Sequence, residues 1–187
     1  MTSRLILLCL FASFTLLGQY PKRELRGVWI ATVQNIDWPS PRNYNAIKQQ
    51  EEFLDMLNSH QQTGINALFV QVRTAADALY SKSEEPWSAY LSGLQGQAPK
   101  PNYDPLAFMI QESHARGIEF HAWLNMNRAS MSTKNLLAAN HIVRKHPEWM
   151  VIYNNQHLFN FGIPAVRHYI TQVVKNIVQE YDVDGIH

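Results

Sequence analysis

Apolar positions in this chain change their rhythm several times, and the changes mark out its elements. The run RGVWIAT (residues 26–32) is short, β-branched and aromatic, which predicts a strand. Residues 45–63 then repeat apolar side chains near one face, with Ile47, Leu54 and Leu57 in the pattern, and Gly64 stands where a helix would end. ALFVQV (67–72) is an almost continuous apolar run, as expected of a parallel strand covered on both faces. A long aperiodic stretch follows. Asp104–Pro105 then supplies an N-cap and a first-turn proline for a helix carrying Leu106, Met109, Ile110 and Ser113 on one face, closed by Gly117. IEFHAWL (118–124) predicts a third strand, and residues 133–145 a looser helix. EWMVIYNNQHLFNFG (148–162) predicts a hairpin turning at Asn154–Asn155. From Pro164 the stripe Val166, Ile170, Val173, Val174, Ile177, Val178 and Tyr181 predicts the strongest helix, and VDGIH (183–187) opens a fourth strand. Strands alternating with helices imply an α/β fold with a parallel sheet. Two architectures satisfy that order: an open doubly wound sheet, or the first half of a (β/α)8 barrel, whose complete form takes about 250 residues.

The polar residues within these strands fall in phase. By strict alternation Phe69, Gln71 and Arg73 share one face, as do Glu119, His121, Trp123 and Asn125; the fourth strand reaches His187. Polar groups thus gather toward the carboxyl ends of successive strands, where both architectures place their ligands. A single buried histidine is commonly a satisfied core residue. Desolvating this many polar groups together is unfavourable unless something engages them. The segments after the strands add Asn35, Asp37 and Trp38; Asp77, Tyr80, Trp87 and Tyr90; and Asn127 with Arg128. Aromatic faces mixed with Asp, Asn and Arg suit the C–H faces and hydroxyls of sugar rings, although each aromatic taken singly is consistent with loop packing.

Composition narrows the classes. The chain has 187 residues, 46% of them hydrophobic, and a formal net charge of +1, so it offers no basic patch for nucleic acid. Arg4 followed by an apolar run from Leu5 to Leu17 and small residues near Gly18 predicts a secretory signal over residues 1–19, with a retained N-terminal anchor as the alternative. The one cysteine, Cys9, lies in that signal, so residues 20–187 carry neither a thiol nucleophile nor a Cys-ligated metal. There is no GxGxxG after a strand, no GxxxxGK[ST], no GxSxG and no HExxH. His114, His121 and His146 match no ligand spacing, and neither a metal nor another cofactor is expected.

Four stretches, RGVWIATVQNIDWPS, GINALFVQVRTAADALYSKSEEPWSAYLSGLQG, YDPLAFMIQESHARGIEFHAWLN and YDVDGIH, together resemble the bacterial glycosyl-hydrolase-like 10 family. The resemblance implies an exported protein, periplasmic or extracellular, with a (β/α)8-type catalytic domain acting on a polysaccharide. On it, residues 20–187 are expected to be an incomplete barrel domain that stops at the start of strand four. Two features depart from the family pattern. Asn125 is followed by Met126-Asn127-Arg128 instead of Pro-Tyr-Arg, and the Phe-Asp-Asp-Tyr that follows VDGIH in the family is not reached. The resemblance therefore puts the acidic pair just beyond His187 and implies that residues 20–187 alone are inactive. Arg73, Asp77, His121, Asn125, Arg128 and His187 are the expected substrate-binding residues, with a non-catalytic carbohydrate-binding module as the alternative reading.

Overall fold

The computed structural model describes residues 24–187; the expected signal at 1–19 lies outside the described residues. Four parallel strands form the main sheet: β1 (Gly27–Ile30), β2 (Ala67–Arg73), β3 (Glu119–Leu124) and a short last strand, Gly185–Ile186, which becomes β7. Their spatial order follows the chain, β1-β2-β3-β7, with every pair parallel. An open doubly wound sheet reverses direction at a switch point; none occurs here among the described residues.

The connections fold for local reasons. Helix α1 (Ala46–Gln62) starts where the Asn45 side chain accepts from the Ile47 and Lys48 amides and ends before Gly64, at φ 77°. Its buried face is Ala46, Gln49, Phe53 and Leu57, whereas the expected Ile47 is exposed. A single turn, α2 (Ala89–Ser92), interrupts the long segment after β2. Helix α3 (Pro105–His114) is capped by Asp104 and buries the expected Leu106, Met109, Ile110 and Ser113. In place of a helix over 133–145 there is only α4 (Ile142–Lys145), capped by His141. A second, antiparallel sheet has the order β4 (Arg128–Ser130), β6 (Gln156–Phe159), β5 (Met150–Tyr153). The β5–β6 hairpin turns at Asn154 and Asn155, both at positive φ, as expected. Helix α5 (Pro164–Glu180) buries Val166, Ile170 and Ile177, but its long stripe splits, and Val178 is exposed. Among the described residues no helix is long and apolar enough to cross a membrane.

One face of the main sheet makes the core. Leu68, Val70, Phe120 and Ala122 pack against Phe53 and Leu57 of α1, Leu106 and Met109 of α3, and Ile177 of α5. The start of β7 is fixed by Asp184, which accepts from the Phe120 amide (2.7 Å) and lies 2.8 Å from His114 Nε2. Burial alone would raise the Asp184 pKa, but these two partners hold it below the ordinary carboxylate value. Asp184 is thus an anchor between β3 and β7.

Gly185 pairs with His121, and the imidazole lies over it. A Cβ there would overlap His121 Nδ1 and stand 2.9 Å from its Cε1. Gly185→Ala is expected to displace the ring and destabilise the protein by about 1–3 kcal/mol, the usual range for overpacking. Urea unfolding of the two proteins measures this, and equal midpoints would show that the ring moves aside freely.

Candidate functional site

The other face of the main sheet carries rings in register. Trp29, Phe69, His121 and Gly185 lie side by side across β1, β2, β3 and β7. Trp29 stacks on Phe69 (centroids 4.4 Å, planes 10° apart), and Phe69 on His121 (4.6 Å, 21°). His187, one layer nearer the carboxyl ends, sets its ring edgewise to Trp29, Phe69 and Trp123 at 5.8, 5.4 and 6.2 Å. The Trp29 indole N–H donates to His187 Nε2 (3.2 Å), so the neutral imidazole carries its proton on Nδ1. His121 Nε2 lies 3.2 Å from Glu119. The result is a floor of aromatic faces with two imidazoles at its centre.

Above it, Asn125 is fully engaged. Its amide donates to the Thr74 carbonyl (3.1 Å), and its oxygen accepts from the Trp123 indole (3.0 Å). Asn125 and Arg128 line one cavity of about 460 Å³ at the end of β3, where Arg128 reaches Met131. Asp77 lines a neighbouring cavity of about 370 Å³ with Tyr90, Ser130 and Met131. Burial pushes the Asp77 carboxyl above its ordinary pKa, opposed by hydrogen bonds from Ser88, Thr74 and the Ala75 amide. Among the described residues no group of three or more His, Cys, Asp or Glu is placed to hold a metal ion.

Arg73 does not join this face. Pairing runs Phe69 with His121 and Gln71 with Trp123, then slips by one, so that Arg73 pairs with Leu124. Parallel partners point the same way, and Leu124 belongs to the core. The irregularity therefore turns Arg73 to the helical side, fully buried, where Nε and Nη2 each donate to Glu85 at 2.7 Å. Desolvation would lower its pKa, but the charge and hydrogen bonds of Glu85 hold it above its ordinary value. Arg73 is accordingly a structural side chain, and the substrate contact expected of it is corrected. Of the remaining expected residues, His121 and His187 lie on the floor, Asn125 and Arg128 share a cavity, and Asp77 stands apart. Trp29, Phe69 and Trp123 complete the floor without having been among the expected binding residues. For Phe69 and Trp123 the phase shared with the polar positions was the signal; Trp29 is placed only by its pairing with Phe69.

A parallel sheet in chain order, helices on one face and polar groups at the strand ends of the other, is the architecture of a (β/α)-barrel domain. Solved glycosidases share the fold. A maltogenic alpha-amylase, AmyB, from Thermotoga neapolitana matches 87% of this chain and 38% of its own (TM-score 0.56, 15% identity). An alpha-L-fucosidase isoenzyme from Paenibacillus thiaminolyticus matches 88% of this chain and 23% of its own (TM-score 0.58, 16% identity). The chain belongs to the glycosyl hydrolase-like 10 family, whose sequence profile matches residues 24–187. It is 46% identical over 167 residues to the glycosyl hydrolase YngK of Bacillus subtilis and 35% identical over 185 residues to the glycosyl hydrolase DigH of Escherichia coli. It aligns over 88% and 90% of its own length but over 32% and 42% of theirs.

Proposed function

We propose that this chain contributes the first half of the barrel of an exported glycoside hydrolase that cleaves O-glycosidic bonds in a polysaccharide. Cell-wall glycan strands are one candidate substrate class. The observation that carries the reading is the floor of Trp29, Phe69, Trp123 and His187, at and below the strand ends of a family member. Flat apolar faces bordered by imidazole, amide and guanidinium groups suit pyranose rings. Glycoside hydrolysis uses two carboxyl groups about 5–9.5 Å apart; on this reading sequence beyond His187 supplies the acids. The carbohydrate substrate is the partner, with no cofactor, and the protein works in the periplasm or outside the cell.

A second reading, a non-catalytic carbohydrate-binding module, draws on one observation. Asp77 and Glu85, acids near the strand ends, are both buried and hydrogen-bonded, so neither faces the open floor.

The test is release of reducing ends from a panel of polysaccharides, peptidoglycan glycan strands included, by the native full-length protein. Trp123→Ala is expected to weaken glycan binding about tenfold, near the value of one well-placed aromatic contact. Binding without release would favour the module, and neither binding nor release would end both readings. Residues 20–187 alone are expected to release nothing; release by that segment would refute the assignment of the acids to later sequence.

A further inference from the structure

We infer that Glu85 and Tyr169, which lie behind the sheet and never reach its open face, are positioning residues for Asn125 and Trp123. The inference rests on the carbohydrate-site reading above.

The orientation of the Trp123 ring is fixed at its indole N–H by Asn125 Oδ1. Asn125 holds the tips of β2 and β3 together, its amide on the Thr74 carbonyl and its backbone N–H on the Arg73 carbonyl (3.0 Å). The carbonyl of Asn125 is held from behind, because Arg73 Nη1 donates to it. Arg73 can do this only while its guanidinium faces the helices, and two parallel bonds to Glu85 keep it there. Glu85 in turn accepts from the Tyr169 hydroxyl at 2.7 Å. A buried chain of contacts thus runs from α5 through Tyr169, Glu85 and Arg73 to Asn125, and from there to a ring beside His187.

Two features argue for positioning over plain support. The slip between Gln71 and Arg73 sits at the strand end and re-aims one side chain, a use that irregularities beside binding sites commonly serve. The Arg73 and Glu85 side chains are 0% and 2% accessible. A buried ion pair is a poor source of net stability compared with apolar packing, but it fixes geometry strictly.

The experiment compares Glu85→Gln and Tyr169→Phe with the native full-length protein. One readout is the Trp123 indole N–H resonance, assigned by its loss in Trp123→Phe. The other is affinity for chitotetraose and for the glycan panel above. Glu85→Gln is expected to shift the resonance in the folded protein and weaken binding about tenfold, the scale of one charged hydrogen bond. Tyr169→Phe removes one hydroxyl, should shift the resonance in the same direction by less, and remains informative if Glu85→Gln does not fold. A folded variant with lowered melting temperature but unchanged resonance would overturn the inference. If the native protein binds no glycan, the functional reading fails, while the resonance still decides the positioning role.

Discussion

Replacing Arg73 by methionine is expected to destabilise the protein by about 3–5 kcal/mol, the range found when one partner of a buried ion pair is removed. The Glu85 carboxylate would stay buried and keep the Tyr169 hydroxyl as its side-chain partner, having lost both guanidinium bonds. The Arg73 side chain is fully buried and its guanidinium lies 5.8 Å from the centre of the Phe159 ring, so methionine replaces the apolar part and isolates the Glu85 charge. The double variant Arg73→Met, Glu85→Leu removes both charges and should recover most of the loss, because an apolar pair of similar volume often matches a buried ion pair. Denaturant unfolding of wild type, both single variants and the double variant gives the coupling. Additive single effects, or an Arg73→Met protein within about 1 kcal/mol of wild type, would mean the pair does not pin β2 to the segment that carries Glu85.

The same residue shows where the sequence stopped being legible. Local signals were sufficient for α1, α3 and the β5–β6 hairpin, because Asn45, Asp104–Pro105 and Asn154–Asn155 act within a few residues of themselves. Strand phase also placed His121, Trp123 and Phe69 on one face. It failed at Arg73, because alternation assumes an unbroken ladder, and the slip that moves Arg73 to the other face depends on how β2 meets β3. The helix expected over 133–145 failed for a similar reason. Thr133 bonds to Asn155 through its backbone amide and its hydroxyl, and the Ala138 amide donates to the Gln95 side chain, so contacts from distant segments take the place of helical bonds there.

The binding floor was legible in part. Polar strand residues attract notice because burying them is unfavourable, whereas an aromatic in a strand looks like ordinary core. Trp29 is half exposed and stacks in register with Phe69. Its role follows only from the parallel order of β1 and β2, which no local signal specifies.

His141 is expected to make the protein acid-sensitive above the range in which carboxylates titrate. The side chain is fully buried and caps α4, its Nδ1 accepting from the Val143 amide at 3.2 Å, while Nε2 has no partner. Burial pushes the imidazole down to about 4; nearby Glu85 opposes this, and Arg73 and His157 reinforce it. The folded protein therefore refuses a proton that the unfolded chain accepts near 6.5. Stability from this group is complete above that value and is lost as pH falls toward 4, by about 3 kcal/mol in total. The segment ending at His141 supplies Asn135, Leu136 and Leu137 to the wall of the Asp77 cavity, so the loss would loosen that wall. His141→Asn keeps a capping oxygen for Val143 and does not titrate. Between pH 7 and pH 4 the variant should lose about 3 kcal/mol less than wild type, since carboxylates such as Asp184 contribute equally to both. Unfolding curves at several pH values provide the comparison, and parallel profiles for the two proteins would show that His141 is not the group that senses acid.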